Sequence, residues 1–226
     1  MNSKSTTKHN LLALKQLSDN LTSYFKVGSW WPGLSKDEII IGAVLTQNTS
    51  WKNVKLSLDT LKENNLLEIK KFSNINKKYL MKLIKSSGFY KQKSQTLIDL
   101  SKLIERYPTL NEFFKSPISK TREELLSIKG IGPETADSIL LYAGDKSIFV
   151  VDNYTKRITK RVLGLDKELS YDELQESIHI LTKSVKKYKA LHGGFVELAK
   201  EYCKKEPICI KCPIKKYCVY FLNNKK

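Results

Sequence analysis

The run Ile128-Lys129-Gly130-Ile131-Gly132-Pro133 constrains this chain more than any other stretch. Two glycines one residue apart permit a turn too tight for residues that carry side chains. Pro133 suits the first position of a helix, where its missing N–H has no intrahelical partner to lose. Leu125, Leu126 and Ile128 give the preceding segment an apolar side, and Thr121 followed by Glu124 reads as a capping box, so the spacing predicts a helix from near Arg122. Beyond the turn Ala136, Ile139, Leu140 and Ala143 recur at helical spacing, with Gly144 as the C-terminal stop. The reading is therefore helix, glycine hairpin, helix. Backbone N–H groups at such a turn can hold an anion, and Lys129 adds a positive charge. A plain helical hairpin that uses glycine only for geometry fits the same residues.

Charge bears on what the anion is. Lys and Arg number 40 against 23 Asp and Glu, a net charge of +17. A balance this basic points to a polyanion, nucleic acid first and a membrane surface second. No apolar run approaches the ~20 residues of a membrane span, and no signal peptide is visible. The expectation is a cytoplasmic protein, in which four cysteines serve as metal ligands or free thiols and not as disulfides.

Elsewhere the apolar residues recur at helical spacing. Helices are predicted over 10–25, 36–45, 51–63, 77–86, 91–106, 154–163, 170–186 and 190–202. The second of these ends at a polar knot, Thr46-Gln47-Asn48-Thr49, and Ser87-Gly88-Phe89-Tyr90 breaks the run before residue 91. Lys156, Arg157, Lys160 and Arg161 lie on the helix that follows Asp152. Only 149–151 looks extended. The fold class is all-α, with no internal repeat and no coiled-coil seam, and a monomer is expected.

Cys203, Cys209, Cys212 and Cys218 fall within sixteen residues, in the spacing C-x5-C-x2-C-x5-C. Four thiolates this close can surround one zinc ion or an iron–sulfur cubane, and spacing alone leaves both open. The loop is too polar to bury four cysteines as apolar fillers. Lys204, Lys205, Lys211, Lys215 and Lys216 of the same loop would be presented to phosphates, or simply to solvent.

Taken together, these segments resemble the endonuclease III superfamily of helix-hairpin-helix DNA glycosylases. IKGIGPETA is similar to that family's hairpin and VVDNYTKRI to the segment carrying its aspartate. GAVLTQNTS resembles the helix-end motif whose glutamine enters the DNA, and Ser87-Gly88-Phe89-Tyr90 resembles its GxY loop. The resemblance implies a two-lobed helical protein with double-stranded DNA across the cleft. One lobe would be a six-helix barrel, residues 36–146. The other would combine 1–35 with 147–226 and carry the cysteine loop, 203–218. It also implies a [4Fe–4S] cluster on Cys203, Cys209, Cys212 and Cys218, with zinc the alternative, because the first cysteine gap is five residues where the family usually has six.

The same resemblance assigns roles. Asp152 would stabilise positive charge on the sugar as the base leaves and orient the attacking water; by itself it would serve equally as a helix N-cap. DNA contacts fall to Gln47, Lys129, Gly130, Ile131, Gly132, Thr135 and Lys156. Relatives that also cut the strand carry a hairpin lysine where this chain has Glu134. A carboxylate cannot form an imine, so the expectation is base removal without strand cleavage. Trp30, Trp31, Pro32, Asn48 and Trp51 resemble the pocket of the endonuclease III-type 3-methyladenine DNA glycosylases, in which indoles stack on an electron-poor alkylated purine. Of these, Trp51 opens an apolar helix face and best fits a core role. That branch has a lysine after a His-Gly pair; here His192-Gly193 is followed by Gly194. Alternatives are a glycosylase for uracil or thymine opposite guanine, a bifunctional glycosylase/AP lyase, and a non-catalytic DNA-binding clamp.

Overall fold

The computed structural model describes residues 3–27, 31–33 and 35–224, the side chains of 3–9 excepted. In chain order the helices are α1 (Ser3–Phe25), α2 (Lys36–Leu45), α3 (Trp51–Glu63), α4 (Lys77–Leu83), α5 (Tyr90–Glu105), α6 (Leu110–Lys115), α7 (Ile118–Leu126), α8 (Pro133–Ser138), α9 (Asn153–Leu163), α10 (Tyr171–Leu181), α11 (Val185–Glu201) and α12 (Val219–Asn223). The described residues contain no strand, and none of their helices is long and apolar enough to cross a membrane. Two compact units result: Trp31–Lys146, and Met1–Trp30 with Ser147–Lys226.

In the first unit α2 is the central element. Its sequence is apolar on every side, and Ile40 to Leu45 are all buried, as expected of a helix surrounded by others. Ser35 caps it, its hydroxyl accepting from the Glu38 N–H at 3.1 Å. Leu97, Leu100 and Ile104 of α5 are each fully buried in this unit, worth roughly 1.5–3 kcal/mol apiece.

The hairpin helices differ from the sequence reading in two ways. α7 begins at Ile118, not near Arg122: Pro117 takes the N-cap position without a side-chain cap, and its carbonyl accepts from the Thr121 N–H at 3.0 Å. Thr121 is then interior and buried, its hydroxyl bonding back to the Pro117 carbonyl at 3.2 Å. Glu124 accepts from the Tyr107 hydroxyl instead of closing a capping box. After α8 the chain continues through one wide π turn, Ile139–Ala143, and stops at Gly144 as predicted. Its φ is −94°, however, and the left-handed residue is Asp145, at +50°. Glycine is needed at 144 for space: a Cβ there would lie 2.6 Å from the Phe114 ring.

In the second unit α1 buries Leu14, Leu17 and Leu21. α11 meets it closely enough that a Cβ on Gly194 would lie 3.1 Å from the Leu21 Cβ. A side chain at 194 would require the Leu21 region to give by a few tenths of an ångström. The segment 148–151 is buried and belongs to no helix. α10 carries a complete capping box: the Ser170 hydroxyl accepts from the Glu173 N–H while the Glu173 carboxylate accepts from the Ser170 N–H.

Candidate functional site

The hairpin sits in the unit Trp31–Lys146. Gly130 has φ of +96°, and a Cβ there would fall 2.4 Å from Thr96 Oγ1, so both conformation and space require glycine. The Thr96 hydroxyl donates to the Lys129 carbonyl at 3.0 Å. Gln47 Nε2 donates to the Gly130 carbonyl and to Thr135 Oγ1, both at 2.8 Å. Side chains from α5 and from the end of α2 thus hold the turn from beneath. Among the described residues the N–H groups of Gly130 and Gly132 have no partner, whereas that of Ile131 closes the turn onto Ile128 O at 3.0 Å. Lys129 and Glu134 are exposed. Ile131 and Thr135 are buried, 5% and 7% exposed, so their side chains serve the hairpin's interior. Gln47 belongs to this group too: its amide nitrogen is engaged by the hairpin.

Sequence reasoning missed Lys93. It is 2% exposed, and its ammonium donates to the carbonyls of Leu45 at 2.9 Å and Ser87 at 2.7 Å. It therefore ties the end of α2, just before the Thr46–Thr49 knot, to the Ser87–Tyr90 loop. Burial lowers its pKa from 10.5 to about 8. A lone lysine on a helix gives no signal of this role.

Also in this unit, Trp31 packs edge-on against Trp51, centroids 5.8 Å apart, and tilted against Tyr142 at 5.1 Å. Gly42 lies beneath the two indoles; a Cβ there would be 3.5 Å from Trp51 and 3.7 Å from Trp31. Trp31, at 7% exposed, is the buried member and Trp51 is half-buried, the reverse of the sequence expectation. The reason is that Trp31 lies between Trp51 and Tyr142. Tyr142 was missed because its place within an apolar helical run reads as core. Asn48 is exposed with φ of +53° and Pro32 is exposed. Trp30 lies outside the described residues.

Asp152 belongs to the second unit. It is the N-cap of α9, Oδ1 accepting from both the N–H and the hydroxyl of Thr155 at 2.7 Å. Oδ2 faces His192 Nε2 at 3.6 Å. Capping and a reactive role are thus compatible, one oxygen for each. Burial pushes this carboxyl up, but the His192 ring and the two Thr155 donors outweigh burial and hold it below the usual 3.8. It is therefore ionised at neutral pH, as charge stabilisation requires. Lys156, one turn further on, is half-buried.

Cys203, Cys209, Cys212 and Cys218 line one small cavity together with Tyr202, Ile214 and Phe221. Among the described residues no three candidate ligands converge on one point. Burial pushes the thiols of Cys209, Cys212 and Cys218 up, Cys212 to about 11, and neighbouring cysteines add to the effect. Four sulfurs lining one cavity are a donor set that suits a cationic centre, which would draw off their protons. Arg157 and Arg161 of α9 hold the loop's start. Arg157 donates to the Cys203 carbonyl at 2.9 and 3.2 Å, and Arg161 to the carbonyls of Lys204 and Lys205 at 2.6 and 2.9 Å.

Residues 41–183 match the family described as HhH-GPD superfamily base excision DNA repair protein. The chain is 42% identical over 203 residues to a candidate DNA repair glycosylase of Methanocaldococcus jannaschii, covering 88% of this chain and 92% of that one. It is similar to the crystal structure of H. pylori 3-methyladenine DNA glycosylase bound to 1,N6-ethenoadenine, at 34% identity and TM-score 0.72 over 85% and 97% of the two chains. A trapped endonuclease III–DNA covalent intermediate shares the fold, with TM-score 0.77 and 18% identity over the whole of both chains.

Proposed function

This chain belongs to the HhH-GPD superfamily of base excision DNA repair proteins, and from that membership we propose that it is a monofunctional DNA glycosylase for alkylated purines such as 3-methyladenine. Its activity as a DNA glycosylase of base excision repair follows from the family and from its most similar relatives. The finer reading, hydrolysis without strand cleavage, is carried by one observation. The exposed hairpin side chain at the start of α8 is Glu134, and no amine stands at that position to form an imine.

In this reading the hairpin receives a DNA phosphate. Gly130 and Gly132 offer N–H groups, Lys129 adds charge, and Gln47, Thr96, Ile131 and Thr135 keep the turn in shape. Lys156 adds a further cation. Asp152 Oδ2 stabilises the positive charge that develops on the sugar as the glycosidic bond breaks, and it orients the attacking water. Its second oxygen stays on the Thr155 cap, so the carboxylate does not turn away. A base removed from the stack is taken up against the half-buried Trp51, backed by the buried Trp31–Tyr142 pair; Trp30, Pro32 and Asn48 are the further residues proposed for the pocket. Stacking of this kind favours an electron-poor alkylated ring by roughly 0.5–2 kcal/mol. The likeness to the H. pylori 3-methyladenine glycosylase supports that substrate class. Gly194 stands where that branch has its lysine, so base recognition here relies on stacking.

Cys203, Cys209, Cys212 and Cys218 would hold a [4Fe–4S] cluster, whose contribution is to fold the lysine-rich loop. Double-stranded DNA carrying a damaged base is the partner, bound by a monomer.

The test is a panel of duplexes containing 3-methyladenine, 7-methylguanine, uracil opposite G, thymine opposite G, or an oxidised pyrimidine, each assayed with and without alkali. Release from the alkylated purines, with nicks only after alkali, is expected. Nicks without alkali, trapped by borohydride, would overturn the monofunctional reading. Release confined to the pyrimidines would overturn the substrate. Asp152→Asn should abolish release while leaving binding intact.

A further inference from the structure

The chain reaches Asp152 through a segment that belongs to no helix, and the described residues contain no strand to pair with it. Ile148, Phe149, Val150 and Val151 are 5%, 0%, 1% and 1% exposed. Buried backbone outside a helix must find hydrogen-bond partners, and here helix side chains supply them. His179 Nε2 accepts from the Phe149 N–H at 3.1 Å. Gln175 Nε2 donates to the Phe149 carbonyl at 2.6 Å. The Tyr171 hydroxyl accepts from the Val151 N–H at 3.5 Å.

These three residues stand four apart on α10, on one stripe of its surface. Along this stripe His179 and Gln175 share the N–H and carbonyl of Phe149 while Tyr171 takes the N–H of Val151, so helix side chains stand in for a partner strand. The opposite side of the segment is fixed by packing. The Phe149 ring meets Tyr188, His192 and Phe195 of α11 at 5.7, 6.3 and 6.4 Å. His192 is also the residue that faces Asp152 Oδ2.

We propose that Tyr171, Gln175 and His179 of α10 are positioning residues for base excision: by holding residues 149–151 they set where the Asp152 carboxylate stands. They act through the segment, without touching DNA. The inference rests on the reading of Asp152 as the reacting carboxylate. His179 accepts through the Nε2 lone pair, which places its proton on Nδ1. Gln175 must donate, so an oxygen in the same place would face the Phe149 carbonyl and repel it.

The test uses the full chain with Gln175→Leu, Gln175→Glu, His179→Leu, His179→Gln and, separately, Asp152→Asn. Three quantities are read on each folded variant: single-turnover release of 3-methyladenine at saturating enzyme, duplex affinity, and hydrogen exchange of the Phe149 and Val151 amides. Displacing a reacting group by about an ångström costs on the order of 10²-fold in rate. Gln175→Leu, Gln175→Glu and His179→Leu should lose about that much in release, exchange faster at both amides, and bind duplex as the wild type does. His179→Gln, which keeps an acceptor, should recover most of the rate. Faster exchange with unchanged release would overturn the proposal, as would equal slowing in His179→Gln and His179→Leu. Where Gln175→Leu does not fold, Gln175→Glu decides, since it keeps the size and reverses the polarity. Wild-type release by Asp152→Asn would instead reject the reading of Asp152, whatever the exchange rates show.

Discussion

Replacing Lys93 by Met should destabilise the protein by an amount that grows with pH, a sign opposite to that of an ordinary salt-bridged lysine. The Lys93 pKa falls from 10.5 to about 8 on folding because its ammonium is buried. Its two acceptors are neutral carbonyls, those of Leu45 and Ser87. A lysine whose folded pKa is depressed penalises the folded state while it is charged, and the penalty lifts as pH rises through the folded value. Between pH 8 and 10.5 the unfolded chain binds more protons than the folded one, so stability climbs. From these two pKa values the gain is about 1.4 kcal/mol by pH 9 and about 2.6 kcal/mol by pH 10, relative to neutral pH. The neutral amine keeps two N–H donors, enough for both carbonyls. Lys93→Met removes the donors and the titration together. At pH 7 it should cost about 2 kcal/mol, the penalty of two carbonyls left wanting offset by relief of a buried charge. At pH 10 the cost should reach roughly 4–5 kcal/mol on the same basis. Urea unfolding of both proteins at pH 7, 8, 9 and 10, followed by far-ultraviolet circular dichroism, measures the difference, from which titrations common to both cancel. A gap between the proteins that stays constant over this range, or narrows, refutes the reasoning.

Three further outcomes are expected. Arg122 holds the fully buried Asp137 at 2.7 Å, so Arg122→Met should cost about 3 kcal/mol in thermal unfolding, and Arg122→Met with Asp137→Leu should recover most of it. Gly130→Ala forces a side chain into a left-handed turn and onto Thr96; it should lower stability by about 1–3 kcal/mol and weaken duplex binding, and full-strength binding would contradict the anion-site reading of the hairpin. Asp152 has a folded pKa held below 3.8, so its contribution to stability is whole above that value and is lost as pH falls through the folded pKa. Acid titration of the unfolding midpoint should accordingly be shallower in Asp152→Asn than in the wild type.

What was legible in the sequence was local chemistry. The glycines and proline of the hairpin, the cap at Asp152 and the apolar run of α2 are decided within a few residues, and all emerge where expected. Thr121 shows how far that reaches: a capping box is a local pattern, but Pro117 offered an earlier start and took the helix with it. Gly144 was found for the wrong reason, since its need is for space beside Phe114. Lys93, Tyr142, Gln175 and His179 were invisible because each acts on a partner 26 to 111 residues away: Lys93 on Leu45, Tyr142 on Trp31, Gln175 and His179 on Phe149. The apolar run 149–151 was legible as a break between helices; that side chains of a helix would satisfy its backbone was not.

α9 begins on the Asp152 cap, and two of its arginines grip the start of the cysteine loop. A helix of 11 residues is marginal in water and draws its persistence from what it is fastened to. Unfastening one end therefore shortens the lifetime of the other. The cysteine loop and the Asp152 cap are joined through α9, and amide exchange at Thr155 is expected to quicken when the loop is loosened.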